Sequence, residues 1–468
     1  MELKFCGAAR EVTGSAHLLT LDDGYKILLD CGLYQGSDDD MENFNRNWYF
    51  NPSEIDCVVL SHAHIDHSGR LPFLVKSGFT GSIYSTHATR SLCAIMLLDS
   101  AKIQEYDARY QDKQLRKQGK SGSIKPLYET KHVSETMKLF RSISYDQWFT
   151  IREGVEILFR DAGHILGSAS VTVRINGEKY IGFTGDIGRE DRPILRDPEP
   201  MPVVDYLICE STYGDREHVS KPIEDELFLK LIRETCVDKG GKVIIPAFSV
   251  GRTQDIVYIL DQMFNEGLLP ENIPVFVDSP LAINATQVYG THPECYDDEL
   301  NEYLLEDDDP FGFNSLTYVR SVEFSKSLNN LKSPCVIISA SGMANAGRVR
   351  HHIANNIEDS KNTILLVGYA TPSTPAGMLR AGVKELKLFG QWLQVKARIE
   401  RIDALSAHGD RWEMLDFIKN QQHLKGMFLV HGEYDVQAEW QGFLEEKGFS
   451  NVHIPALRDT YTLYDETP

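Results

Sequence analysis

Short apolar runs that stop at a glycine, a histidine or a carboxylate recur along this chain. Residues 3–6, 16–20 and 25–30 alternate or cluster apolar positions between Gly7, Gly14 and the turn at 22–24, as a meander of short strands does. Residues 57–60 form a fully apolar run, followed by a short helix over 69–76 and a strand over 81–85. From His87 to about Lys117 the spacing of Leu92, Ile95, Met96 and Leu97 predicts a helix. Its end, 111–120, is strongly charged and holds no aromatic residue, so it reads as a solvated helix and loop rather than a nucleic-acid patch. A short amphipathic helix over 133–141 and strands over 154–159, 179–183 and 205–210 follow.

Near residue 220 the texture changes. Helices alternate with fully apolar strands over 242–246, 273–277, 334–339 and 362–367, the signature of a parallel α/β sheet with loops gathered at strand C-termini. The acidic stretch 297–309 reads as a surface excursion of that domain. From residue 394 the first texture returns: an alternating strand over 395–402 running into 403–410, an apolar strand over 426–430 and closing strands in 452–463. The expected organisation is α/β throughout, with a domain over 211–394 inserted between 1–210 and 395–468 of the other.

Chemistry enters at the strand ends. His62-Ala-His64-Ile-Asp66-His67 packs four ligand-type side chains into six residues just past an apolar strand. In that loop His62 and His64 can face one side while Asp66 and His67 turn to a neighbouring position. Neutral imidazole suits borderline cations such as zinc, and a carboxylate completes or bridges a second ion. His164 repeats the device in the Gly-bounded loop 161–170, and Asp186 ends another strand between Gly185 and Gly188. A bridging carboxylate is what a histidine-rich site still lacks, which favours Asp186 as a ligand. Asp30, Glu210, His408 and His431 also stand at strand ends. For Asp30 two readings stay open, a loop cap or a group that orients a ligating histidine.

Composition narrows the classes. No run approaches the length of a membrane span, and no early segment has a basic start before an apolar core. The eight cysteines are scattered without a C-x-x-C pair, which disfavours a structural zinc knuckle and fits a reducing cytoplasm. A net charge of −20 weighs against non-specific duplex binding through a broad basic face. It leaves open a nucleic-acid enzyme whose local cleft carries metals.

With these residues in view, the chain resembles the metallo-β-lactamase-fold nucleases of the β-CASP group, which include the endonuclease of pre-mRNA 3′ ends and its bacterial and archaeal relatives. His62-Ala-His64-Ile-Asp66-His67 fits the family's H-x-H-x-D-H motif. Asp30, His164 and Asp186 fit the single-residue motifs around it, and Glu210, His408 and His431 fit the three that mark the β-CASP group. The resemblance implies an αββα sandwich with an inserted α/β β-CASP domain acting as a lid. It implies two zinc ions, one held by His62, His64 and His164, the other by Asp66, His67 and His431, with Asp186 bridging. Members with a histidine at the place of His431 mostly act on RNA, so single-stranded RNA is expected ahead of DNA. No membrane partner is expected, and a homodimer stays an open option. The segment Gly368-Tyr369-Ala-Thr-Pro-Ser-Thr-Pro-Ala-Gly377 departs from the family's usual Gly-Thr-x-Gly-Arg type of loop, which puts the shape of the substrate channel in question.

The expected chemistry is zinc-dependent hydrolysis of phosphodiester bonds by a two-metal hydroxide mechanism, with ions ~3.5–4 Å apart. His408, oriented by Glu210, is the expected general acid, beside Asp66 and Asp30 in the catalytic set. Loops around Arg252, Thr253, Ser341 and Gly342 are expected to receive substrate phosphates, against the plainer reading of ordinary strand-to-helix turns. The competing classes are a thioesterase- or lactonase-like hydrolase, a DNA-directed β-CASP nuclease, a di-iron redox protein and a silent partner subunit. The large insertion between Glu210 and His408 argues against the first, the histidine at 64 against the third, and the full ligand set against the last.

Overall fold

The computed structural model of the chain describes residues 1–35, 38–119, 124–218, 222–368, 370–402 and 406–464. It divides into two compact units. One comprises 1–190, 197–217 and 408–468; the other comprises 191–196 and 218–407.

The first unit holds two seven-stranded sheets. One runs Thr460–Thr462, Glu2–Phe5, His17–Thr20, Lys26–Leu29, Cys57–Val59, Ser82–Ser85, Phe140–Ser142. Its pairing turns from antiparallel to parallel at Lys26–Leu29. The other runs Val452–His453, Gly426–Val430, Tyr206–Glu210, Lys179–Phe183, Ala169–Ile175, Val155–Asp161, Phe149–Arg152. Side chains of both inner faces share one core: Phe5, Ile27, Leu29 and Val59 meet Val171, Val173, Ile181, Phe183 and Phe428.

The apolar runs are continuous because their strands are covered on both sides. Ile208, Phe428 and Val430 enter the core between the sheets. Leu207, Cys209, Met427 and Leu429 point the other way, onto Met414, Phe417, Ile418, Trp440 and Leu444 of the outer helices Arg411–Ile418 and Tyr434–Glu446. This is the αββα sandwich. All eight cysteines are buried free thiols. No helix among the described residues is long and apolar enough to cross a membrane.

Two glycines let the strand-end loops close on one another. Gly32 donates to Ser15 O, Ser15 donates to Asp66 O, and Cys31 donates to His67 O, each at 2.8 Å. A Cβ on Gly32 would lie 1.6 Å from the Asp66 carbonyl oxygen. Likewise a Cβ on Gly188 would fall 2.0 Å from Gly163 O and 2.7 Å from His164 N. Gly32→Ala is therefore expected to push the Asp66–His67 turn aside. Overpacking of this kind costs about 1–3 kcal/mol, and bound metal should fall with it, read by thermal unfolding and by metal analysis of the same preparation. A variant with native melting and full metal would show that the loop yields freely.

The second unit is a six-stranded all-parallel sheet in the order Leu316–Tyr318, Val275–Val277, Cys335–Ser339, Lys242–Pro246, Thr363–Val367, Arg398–Ile402. Buried Ile244, Ile337, Ile364 and Leu366 pack with Val349, Ile353 and Leu379 of its helices. The strand Arg398–Ile402, which the sequence pattern gives to the resuming first domain, pairs here with Thr363–Val367. Its alternation is that of an edge strand and fits either sheet equally, so periodicity alone does not place it. Residues 403–405, where that strand was expected to run on, lie outside the described residues. At the C-terminal side of this sheet the fully buried Asp278 accepts from Ser325 Oγ (2.5 Å), Arg348 Nη1 (2.5 Å) and His352 Nε2 (2.7 Å). The three donors hold the carboxyl below its usual range against the upward push of burial.

Candidate metal centre

The strand Cys57–Val59 ends at Leu60, and the next residues turn into the short helix Ile65–Ser68. This turn brings His62 and His64 to one side and Asp66 and His67 to another. His62 is fully buried, and its Nε2 lies 3.1 Å from His64 Nδ1. His164, buried in the loop after Val155–Asp161, places its own Nε2 3.1 Å from the same nitrogen. Asp186 follows the strand Lys179–Phe183, and its Oδ2 stands 3.5 Å from both His62 Nε2 and His164 Nε2. The first set is thus three imidazoles and one carboxylate oxygen.

The other oxygen of Asp186 faces the second set. Oδ1 is buried without a hydrogen-bond partner and lies 3.3 Å from His67 Nε2 and 3.5 Å from His431 Nδ1. His67 Nε2 and His431 Nε2 are 3.1 Å apart, and Asp66 Oδ2 is 3.5 Å from His431 Nε2. Within each set the ligand atoms lie within 4.8 Å of one another.

These spacings fit metal ions. Four donors about 2.0–2.1 Å from a tetrahedral centre stand roughly 3.3–3.4 Å from each other. An orphaned carboxylate oxygen facing imidazole nitrogens lacks a partner within the protein, and a cation supplies one. Electrostatics agree for the first set. Burial pushes the imidazolium of His62 well down and that of His64 down to about 4, leaving neutral rings with free lone pairs. Burial also opposes the charged forms in the second set, but mutual attraction overrides it. Asp186 and Asp30 hold His67 well above its ordinary value, while the hydrogen bond from His431 helps bring Asp66 down to about 2.

A second layer fixes the rings. Asp30 is fully buried, with a backbone φ of +59°, and accepts from Ser61 N (2.8 Å), Ser61 Oγ (2.9 Å) and Ser15 Oγ (3.2 Å). Its Oδ2 lies 2.7 Å from His67 Nδ1. An N–H donated there leaves the Nε2 lone pair aimed at the site, the arrangement that orients ligating histidines. Thr212 Oγ1 does the same service for His431, 2.9 Å from its Nδ1. The sequence reading found Asp30 but missed Thr212, Ser61 and Ser15. Their only signal was a hydroxyl near a strand-end glycine or acid, which is common in any turn. Asp30→Asn is expected to weaken metal affinity about 10–100-fold with the fold retained; metal titration at constant melting temperature checks it, and unchanged affinity would leave Asp30 as a loop cap.

Glu210 is fully buried at the end of Tyr206–Glu210 and accepts from the backbone N–H of Ile187 and, at 3.3 Å, of Thr212. His408 Nδ1 is 3.4 Å from both of its oxygens, and the imidazole is 19% exposed. That ring lies 4.5 Å from the His164 ring and 5.9 Å from that of His431, centroid to centroid. Burial lowers the His408 imidazolium, but the Glu210 carboxylate, together with Asp186 and Asp66, outweighs it and raises the group above its ordinary value.

The four residues expected at substrate phosphates stand in the second unit. Arg252 is buried, its guanidinium turned to Asp255 (3.5 Å), which Arg192 also meets at 2.8 Å. Thr253 is buried too and donates to Phe248 O at 2.7 Å. Ser341 is partly exposed, donating to Asn345 Oδ1 at 2.9 Å, and Gly342 beside it is partly exposed. Of the atypical loop after Gly368, Tyr369 lies outside the described residues.

Three family descriptions match the chain. They are a metallo-beta-lactamase superfamily domain over 18–184, a Beta-Casp domain over 253–379 and a Zn-dependent metallo-hydrolase RNA specificity domain over 392–455. Ribonuclease TTHA0252 of Thermus thermophilus is 33% identical over 429 residues, covering 91% of this chain and 92% of that protein. Transcription termination factor FttA of Methanosarcina mazei is 32% identical over 91% of this chain and 66% of its own length. Cleavage and polyadenylation specificity factor 73 of Drosophila melanogaster is 30% identical over 92% of this chain and 60% of its own length. Among solved structures, a protein of unknown function from Enterococcus faecalis aligns over 99% of both chains with a TM-score of 0.53 at 12% identity, a likeness of fold alone.

Proposed function

The chain belongs to the β-CASP family of metallo-β-lactamase-fold hydrolases, and we propose that it is a zinc-dependent ribonuclease hydrolysing phosphodiester bonds of single-stranded RNA. The observation that carries this reading is the Asp186 carboxylate, with one oxygen toward His62 and His164 and the other toward His67 and His431. A histidine-rich pair of donor sets sharing one carboxylate suits two zinc ions better than the all-oxygen sites of magnesium or calcium. His62, His64 and His164 would hold one ion and Asp66, His67 and His431 the other, with Asp186 between them. Bound there, the ions would supply a water of lowered pKa and neutralise charge on the phosphoryl oxygens.

The protein's own groups do the rest. Asp30 and Thr212 keep His67 and His431 in the tautomers that point inward. His408 holds a proton on the ring nitrogen opposite Nδ1 and gives it to the leaving 3′ oxygen, while Glu210 stabilises the charged ring. Ser341 and Gly342, at a strand C-terminus of the second unit, offer a polar loop for a substrate phosphate. Arg252 and Thr253 are engaged inside their own unit, with the Asp255 carboxylate and Phe248 O. RNA is the preferred substrate because relatives matching nearly the whole chain include a named ribonuclease. Eight buried free thiols favour a reducing compartment such as the cytoplasm.

The test is purified protein with zinc on end-labelled single-stranded RNA bearing either a 5′-phosphate or a 5′-hydroxyl. Internal fragments identify an endonuclease and a mononucleotide ladder an exonuclease. Turnover of a thioester with RNA left intact would replace this reading by the small-molecule one.

A further inference from the structure

The helix His87–Lys117 begins at the metal centre and carries a second feature far from it. Thr86 and Thr89 donate their hydroxyls to Gly167 O at 2.6 and 2.7 Å, three residues beyond His164. From there the helix runs for 31 residues. Tyr106, twenty residues past Thr86, stands about 30 Å along the axis from that anchor at 1.5 Å per residue.

Beyond Ala101 one face of this helix is open. Lys102, Ile103, Tyr106, Arg109, Tyr110, Lys113 and Lys117 are all exposed, whereas Ala101 and Ala108 on the opposite side are buried. At 3.6 residues per turn those seven positions fall within a sector of roughly 120°. Tyr106 is 64% exposed and Tyr110 53%, and among the described residues neither hydroxyl bonds to a protein group. No acid stands in the sector between Lys102 and Lys117. The acids of this stretch are turned away: Glu105 accepts from Thr130 N at 2.8 Å, and Asp112 accepts from Ile124 N at 2.7 Å. Asp107 is exposed and borders the sector, roughly 40° beyond Ile103 and 60° from Tyr110.

An aromatic-and-basic stripe is out of character for a chain of net charge −20. Four cations alternating with two open phenol rings match single-stranded nucleic acid, which pairs a backbone of negative charge with stackable bases. A second copy of the chain is a poorer occupant. A two-fold pairing of this face would set Lys102, Arg109, Lys113 and Lys117 of the two copies against one another, with Asp107 only at the edge to answer them. The charged end at 111–120 contains no aromatic residue, but the helix carries Tyr106 and Tyr110 onto the same face one and two turns upstream.

We propose that this face of the helix, from Lys102 to Lys117, is a remote binding track for single-stranded RNA. Tyr106 and Tyr110 stack on bases, and Arg109, Lys113 and Lys117 meet phosphates. The inference rests on the ribonuclease reading and adds to it where the substrate is held beyond the cleavage point. Contacts made equally in the ground state and the transition state add to capture of long substrates and leave kcat unchanged, and the track is assigned to that kind.

The experiment compares Tyr106→Ala/Tyr110→Ala with the unaltered zinc-loaded chain. Binding of a long unstructured RNA is read by fluorescence anisotropy, and cleavage of that RNA and of a dinucleotide by steady-state kinetics. Each lost stack weakens long-RNA binding about tenfold, so KM for the long RNA should rise with kcat retained, and dinucleotide cleavage should not change. Tyr106→Trp/Tyr110→Trp should restore binding. Lys113→Ala/Lys117→Ala should lower the slope of log affinity against log salt by about 0.7 for each lysine. Long-RNA cleavage with an unchanged KM in the tyrosine variant overturns the track and leaves the ribonuclease reading standing. So does a shift in oligomeric state without an effect on RNA. Tyrosine-dependent RNA binding by a chain that cuts no RNA retires the ribonuclease reading and keeps the track.

Discussion

Asp186→Asn is expected to lose metal and activity together. The side chain is 2% exposed and wedged among His62, His164, His67 and His431, so asparagine fits the space without a cavity. What changes is charge and direction. Attraction to His431, His67 and His62 keeps the carboxyl ionised far below its usual range, against the penalty of burial. In asparagine that charge is gone. Whichever way the amide turns, one of the two donor sets then faces an N–H₂ group in place of a lone pair. Loss of a shared ligand and of the charge it balances removes several kcal/mol of transition-state stabilisation, on the order of 10³-fold in rate. Elemental analysis should find well under the wild-type metal content in a protein with ordinary circular dichroism. Two equivalents of metal with undiminished RNA cleavage would show that Asp186 does not bridge.

Much of this site was legible because each group stands where a hydrophobic period stops. The runs at 57–60, 181–183, 206–209 and 426–430 are apolar on both faces, since Ile208 and Phe428 fill the inner core while Leu207 and Met427 meet the outer helices. A strand of that kind carries no polar side chain until its end. There His62, Asp186, Glu210 and His431 are the first groups able to do chemistry. The fold class followed from the same contrast, with continuous parallel runs in the inserted unit and mixed ones around it.

What escaped the sequence was whatever depended on contacts between distant segments. Thr212 touches His431 across 219 positions of chain, and nothing local marks it. At Arg252 and Thr253 the local pattern and the surroundings point in different directions. A glycine followed by Arg-Thr at a helix start reads as an anion-binding turn. Here Gly251 sits at φ +81°, and the preceding loop folds back over the helix entry. Arg252 N donates to Val250 O and Thr253 N to Phe248 O, both at 3.2 Å, so those N–H groups are already taken. Of the edge strands, Phe149–Arg152 went unread and Phe140–Ser142 was partly given to the helix over 133–141, which ends at Leu139, because short segments of this kind carry little periodicity.

His408→Ala should separate metal binding from catalysis. The imidazole is not among the groups close enough to share a metal with the other donors, so both ions should remain while cleavage of RNA falls about 10²–10⁴-fold, the range of a lost general acid. The pH profile then tests the proton itself. A general acid works only while protonated, so kcat/KM falls as pH rises through its pKa. Glu210 raises the His408 value against the downward pull of burial and so carries the active form to higher pH. Glu210→Gln removes that charge, and the alkaline limb of the profile should move to lower pH. In His408→Ala the limb should vanish, leaving a small residual rate. If the limb stays in place in both variants, the proton reaching the 3′ oxygen comes from elsewhere, and Glu210 serves chiefly to hold the backbone of Ile187 and Thr212 beside the metal ligands.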